Sequence, residues 1–118
     1  MGVTGLSYNS EKKILATCSD DSTWKLWSVP NGDLIMSGEG HEDWASDVSF
    51  HPDNQFIATS SGDGTVKVWD ILQTKCAITF NEHPQVVWSV DFNYSGDFLL
   101  SSSMDHTIKL WDLNLAKS

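Results

Sequence analysis

Residues 59–70 read TSSGDGTVKVWD, and the pattern stands again 42 residues away on either side, as TCSDDSTWKLWS and SSSMDHTIKLWD. Each copy brings hydroxyls, an aspartate and a tryptophan together, and two have a histidine upstream, His41 and His83. Hydroxyl, imidazole and carboxylate are the groups of nucleophilic hydrolysis, in which a carboxylate orients a histidine and the histidine takes the hydroxyl proton. Such a set occurs once in an enzyme, with an exposed nucleophile and donors for the oxyanion. Here it recurs with a fixed period, which points to a structural device built once per unit. A buried indole N–H and a buried carboxylate both need partners, and a histidine between a hydroxyl and an aspartate supplies them.

The period organises the whole chain of 118 residues. Asp21, Asp63 and Asp105 coincide on shifting by it; so do Thr23, Thr65 and Thr107, Lys25, Lys67 and Lys109, and Trp27, Trp69 and Trp111. The chain is an array of one supersecondary unit, with units near 1–38, 39–80 and 81–118. No segment sustains helical apolar spacing for three turns. The second unit instead predicts short strands at Ala45–Phe50, Phe56–Ser61, Thr65–Trp69 and Lys75–Phe80. Turns at His51-Pro52-Asp53-Asn54 and Gly62-Asp63-Gly64 separate the first three. The expected fold is all-β, with about three four-stranded antiparallel units, the last incomplete.

Sixteen acids, seven lysines and no arginine give a formal charge of −9. That balance repels nucleic-acid phosphates and anionic membrane surfaces, so neither is an expected partner. A basic protein surface is the natural electrostatic mate. No apolar leader opens the chain and no run approaches a membrane span, so a cytoplasmic location is expected. Cys18 and Cys76 lie off the period and outside CxxC spacing. They read as two small buried apolar side chains in a reducing compartment, with a single disulfide left open. His41-Glu42-Asp43-Trp44-Ala45 lacks the second histidine of HExxH, and Gly38-Glu39-Gly40 lacks the third glycine of a dinucleotide loop. His51 and His106 read as solvated turn residues. No catalytic set, cofactor or metal is expected.

A period of 42 with four strands matches a propeller blade, about 40–45 residues long. Gly40-His41, Trp69-Asp70 and Trp111-Asp112 resemble the dipeptides of WD repeats. That resemblance implies a WD-repeat β-propeller fragment, an open arc. It also implies one hydrogen-bonded network per blade. Unit two supplies His41, Asp63, Trp69 and Thr59 or Ser61. Unit three supplies His83, Asp105, Trp111 and Ser101 or Ser103. Unit one supplies Asp21, Trp27 and Thr17 or Ser19. Ser61 and Ser103 are the expected hydroxyls. The string SDDSTWKLWSVPNGDLIMSGEGHEDWASDVSFHP further resembles the sperm-associated antigen 16 family. This implies a non-catalytic scaffold for protein–protein interaction in the central apparatus of motile cilia and flagella, within the axonemal cytoskeleton. The alternative is a general WD-repeat adaptor, such as a ubiquitin-ligase substrate receptor or signalling scaffold.

Departures from the period are where a partner surface is expected. Trp44 aligns with Val86, and Trp88 with Thr4 and Ser46. The turn residues Asp20, Gly62 and Met104 also differ. Trp44, Trp88, Asp20 and Met104 are the candidate partner-binding residues. Trp24, where the other units have Val66 and Ile108, reads as core. Glu39, Glu42, Asp43 and Asp47 read as a solvated acidic edge. The units are expected to form an arc of a larger propeller, a short isoform or an incomplete gene product. The isolated chain is expected to be marginally stable or to self-associate through its open blade edges.

Overall fold

Among the described residues eleven strands follow one another: β1 (Val3–Asn9), β2 (Ile14–Ser19), β3 (Thr23–Ser28), β4 (Leu34–Glu39), β5 (Ala45–Phe50), β6 (Phe56–Ser61), β7 (Val66–Asp70), β8 (Lys75–Phe80), β9 (Val87–Phe92), β10 (Phe98–Ser103) and β11 (Ile108–Asp112). They are seen in a computed structural model that describes residues 3–9, 13–29, 31–39, 41, 43–52, 55–71, 73, 75–81, 86–92, 98–104 and 107–112. Consecutive strands pair antiparallel into three sheets, β1-β2-β3-β4, β5-β6-β7-β8 and β9-β10-β11. These are blades one, two and three.

Three of the four expected strands of blade two fall on their expected residues. The third starts one residue late, at Val66, because Thr65 is engaged by the preceding turn. Its backbone N–H and hydroxyl both donate to Asp63 Oδ1. Within this turn Gly64 takes φ +86°, a left-handed conformation that glycine adopts freely. The equivalent residue of blade one is Ser22 at φ +75°, where a side chain costs about 1 kcal/mol.

Alternation gives every blade two apolar faces. The front face of blade one carries Ala16, Cys18, Trp24 and Leu26, and the back face of blade two answers with Ala45, Val48, Ile57 and Trp69. The front face of blade two, Ala58, Val66 and Val68, packs in the same way on Val87, Val90, Phe92 and Leu99 of blade three. The core is therefore two seams between blades, with β1 against β5 and β5 against β9 on the inner side. Trp24 lies in the first seam, 1% exposed, its ring 5.4 Å from that of Trp69.

Each first strand carries a β-bulge at the same period: the register slips between Val3 and Gly5, between Ala45 and Asp47, and opposite Ser102–Ser103, where Trp88 is the extra residue. A bulge re-aims the side chain of its extra residue. Thr4 accordingly donates to the carbonyl of Ala45, and Ser46 to that of Val87, each reaching across a seam.

His51 is not the solvated turn residue expected. It is 8% exposed, its ring edge-on to Phe92 at 4.9 Å and to Phe56 at 5.9 Å. Its backbone N–H closes the β5–β6 loop on the Phe56 carbonyl. His106 lies outside the described residues. Both cysteines are free; Cys18 is buried, Cys76 half-buried. Burial pushes the Cys18 thiol up to about 11, so it stays protonated at neutral pH.

Asp47 also departs from expectation. Rather than standing on a solvated acidic edge, it enters the second seam, where Oδ2 accepts from Val90 N–H at 3.1 Å and Oδ1 from Val48 N–H at 2.9 Å. Burial raises its carboxyl above the usual range, against the lowering effect of these two bonds. The folded chain thus binds this proton more readily than the unfolded chain. The stability of the native protein relative to an Asp47→Asn variant is expected to rise as pH falls from neutral through the raised titration range. Paired thermal unfolding curves between neutral and mildly acidic pH measure it. A constant difference would show that Asp47 is not desolvated.

Candidate functional site

The network of blade two is built from four places in the chain. His41 precedes β5, Thr59 lies in the middle of β6, Asp63 is in the β6–β7 turn, and Trp69 stands on β7. His41 Nε2 lies 2.6 Å from Thr59 Oγ1, and Nδ1 lies 3.2 Å from Thr65 Oγ1 and 3.4 Å from Asp63 Oδ2. Trp69 Nε1 donates to Thr59 Oγ1 at 2.8 Å. Every proton is used if the imidazole hydrogen sits on Nδ1: Thr59 then accepts from the indole and donates to Nε2.

The hydroxyl at the centre is Thr59, not Ser61. Both face the same way, as alternation requires, but the Trp69 ring reaches diagonally from its register partner Ile57 to Thr59. Ser61 serves the turn instead, accepting from Asp63 N–H at 3.1 Å and donating to the Trp44 carbonyl at 2.9 Å. The same correction applies to blade three. Trp111 Nε1 donates to Ser101 Oγ at 2.9 Å, while Ser103 donates to the Val86 carbonyl at 2.7 Å. His83 and Asp105 lie outside the described residues. In blade one Trp27 Nε1 donates to Thr17 Oγ1 at 3.0 Å, and Asp21 Oδ1 receives the N–H and hydroxyl of Thr23. These bonds hold the Asp21 carboxyl below the usual range.

Thr59 is fully buried, and its oxygen already serves an indole and an imidazole. An attacking hydroxyl must meet a substrate, and this one meets only protein. What the set does is tie the loop before β5 to the tight turn and to the strand that carries the tryptophan. Among the described residues, no group of three or more His, Cys, Asp or Glu side chains is placed to hold a metal ion.

The candidate partner residues gather at the turn end of the blades. Trp44 lies over Gly62: a Cβ at that glycine would sit 2.3 Å from the indole nitrogen. Trp88 crosses from the next blade to meet it, ring centroids 5.4 Å apart and planes at 57°. Trp88 remains 48% exposed. Met104, 51% exposed, occupies the blade-three equivalent of Gly62, its N–H bonded to the Val86 carbonyl at 2.9 Å. Asp20, at the corresponding turn of blade one, is exposed and accepts from Ser19 Oγ at 3.3 Å. Glu39 and Asp43 are exposed nearby in sequence, and Glu42 lies outside the described residues. The seam donors Thr4 and Ser46 are structural residues whose role sequence reasoning passed over. Their shared hydroxyl at equivalent positions was the available signal.

Side-by-side antiparallel blades, each holding an indole–hydroxyl bond and the first two an Asp-capped turn, define a repeat of the WD type. The chain belongs to the WD domain, G-beta repeat family, whose model matches residues 1–28, 32–70 and 74–112. Such repeats generally serve as scaffolds that bind other proteins. Over 43 residues the chain is 56% identical to the flagellar WD repeat-containing protein Pf20 of Chlamydomonas reinhardtii, a match covering 36% of this chain and 7% of that protein. Over 45 residues it is 44% identical to human sperm-associated antigen 16 protein, covering 38% and 7%. The mouse protein of that name is 44% identical over 32 residues, covering 27% and 5%. The matches thus span a small part of each relative.

Proposed function

We propose that the chain is a non-catalytic WD-repeat scaffold that binds other proteins in the axoneme of motile cilia and flagella, within the central apparatus. The observation that carries the ciliary part is its 56% identity, over 43 residues, to a flagellar WD-repeat protein. The scaffold part is supported by the burial of Thr59 and His41, which leaves surfaces rather than a reactive hydroxyl for function. The docking face is the paired Trp44 and Trp88 with Met104, and Asp20 extends it along the same end of the blades. Large exposed aromatic side chains are the usual anchors of an interface. The surrounding carboxylates and the charge of −9 favour a partner with basic residues beside an apolar anchor.

The test is capture of identified axonemal proteins by the tagged chain from ciliated-cell extract, together with its position in ciliated cells. Trp88→Ala is the informative variant, because Trp88 is half exposed and Trp44 also covers a turn. It is expected to weaken capture by about tenfold or more while leaving the fold intact. A chain that stays diffuse and recovers no axonemal protein sinks the reading. Recovery of ubiquitin-ligase components in their place would favour the adaptor alternative.

A further inference from the structure

The connection between β3 and β4 is built differently from its counterpart in blade two. There Asp70 follows the network tryptophan, and its Oδ1 accepts from Gln73 N–H at 3.1 Å. Blade one has Ser28 at that position, and among the described residues its Oγ is buried without a partner. The loop is closed by main chain instead: Ser28 N–H donates to the Asp33 carbonyl and Gly32 N–H to the Ser28 carbonyl, both at 2.8 Å. Asn31, Gly32 and Asp33 are all exposed. Gly32 takes φ +79°, the left-handed conformation that glycine supplies in Asn-Gly turns. A Cβ built on it meets nothing within 4 Å. The glycine that lets the chain turn therefore also leaves its amide nitrogen unshielded beside the Asn31 side chain. Every other asparagine is followed by a residue with a side chain: Ser10, Gln55, Glu82, Tyr94 and Leu115.

We propose that Asn31-Gly32 is a site of spontaneous covalent modification, where the asparagine converts through a cyclic imide to aspartate and isoaspartate. Solvent base takes the Gly32 N–H proton, and the nitrogen bonds to Asn31 Cγ. The Cγ–Nδ2 bond breaks, and the amide nitrogen leaves with that proton as ammonia. Water then opens the ring. Cleavage at Cγ leaves aspartate, and cleavage at the backbone carbonyl leaves isoaspartate, with one more carbon in the main chain. The reaction consumes one water and needs no oxidant or reductant. The bond from Gly32 N–H to Ser28 must open first, so the turn sets the rate. Such opening is local: Val29 N–H is held by the Lys13 carbonyl at 2.9 Å, and Trp27 stays paired with Leu34. The product adds a negative charge beside Asp33, at the end of blade one opposite the Asp20 turn.

The 118-residue chain is aged in mildly alkaline buffer, folded and in denaturant, and its tryptic peptides are sequenced by tandem mass spectrometry. Cleavage after Lys25 and Lys67 places Asn31 and Asn54 in one peptide, so Asn54 is an internal reference. In the folded chain Asn31 is expected to convert, in aspartyl and isoaspartyl forms, while Asn54 remains an amide. Conversion is expected to be about tenfold slower than in denaturant, the effect of opening one ordinary hydrogen bond. Asn31→Gln is expected to abolish it. Ser28→Asp, which restores the cap of blade two, is expected to slow it about tenfold further. A folded chain that keeps Asn31 intact while the denatured chain converts overturns the proposal. So would aspartate without isoaspartate, since that excludes the imide, or a rate that Ser28→Asp leaves unchanged.

Discussion

Replacing Thr59 by valine is expected to cost about 2–4 kcal/mol, although it changes one hydroxyl to a methyl inside a sheet. The side chain is fully buried and keeps its volume, so packing is preserved. What is lost is the meeting point of two buried groups. Trp69 Nε1–H loses the oxygen it donates to, and His41 Nε2 loses the hydrogen it receives. A buried polar group left without a partner costs about 1–3 kcal/mol. The midpoint of thermal unfolding should fall by roughly 10 °C for a domain of this size. Thr17→Val is the control, since among the described residues its oxygen serves Trp27 and no histidine, on a half-buried face. It should cost under about 1 kcal/mol. Equal losses at Thr59 and Thr17 would show that the histidine adds nothing, and the network account would fail.

Trp24→Ala is expected to be more damaging still, about 3–5 kcal/mol, because it empties the first seam. The indole is 1% exposed, stacks obliquely on Trp69 and lies against Gly38, where an added Cβ would stand 2.3 Å from its ring carbons. The surrounding strands belong to two blades and collapse poorly around the gap. Trp24→Phe should be much milder, about 1–1.5 kcal/mol. Among the described residues the Trp24 N–H has no hydrogen-bond partner, so phenylalanine gives up ring area but none of the described bonds. Trp69→Phe should exceed it, since there the bond to Thr59 is lost as well. Denaturant unfolding of the three variants orders them. Trp24→Phe proving as costly as Trp69→Phe would contradict the picture.

The period made the fold legible. Aspartate, threonine, lysine and tryptophan recur in register, and three of the four expected strands of blade two are found residue for residue. Thr65 was misplaced by one because strand propensity is a property of the side chain, while its exclusion from β7 comes from two bonds to Asp63. The choice between Thr59 and Ser61 was not legible. Alternation places both on the back face, and only the tilt of the Trp69 ring decides between them. His51 misled because a following proline signals a turn, and a turn is usually wet. Its ring is buried by Phe92, forty-one residues further on. Asp47 misled for the same reason: its main partner, Val90 N–H, lies in another blade. Contacts within a blade follow from local pattern, and contacts between blades follow from how the blades are set side by side.

The bulge in each first strand has a wider consequence. Main-chain geometry alone turns its extra residue sideways, so that position is a vacant mounting whose fitting can be exchanged without disturbing the frame. Threonine and serine there act as clasps toward the following blade, while tryptophan leans back toward the preceding one and leaves nearly half its surface to the outside. One backbone irregularity, copied three times, thus lets a monotonous architecture carry an individual feature at a single address.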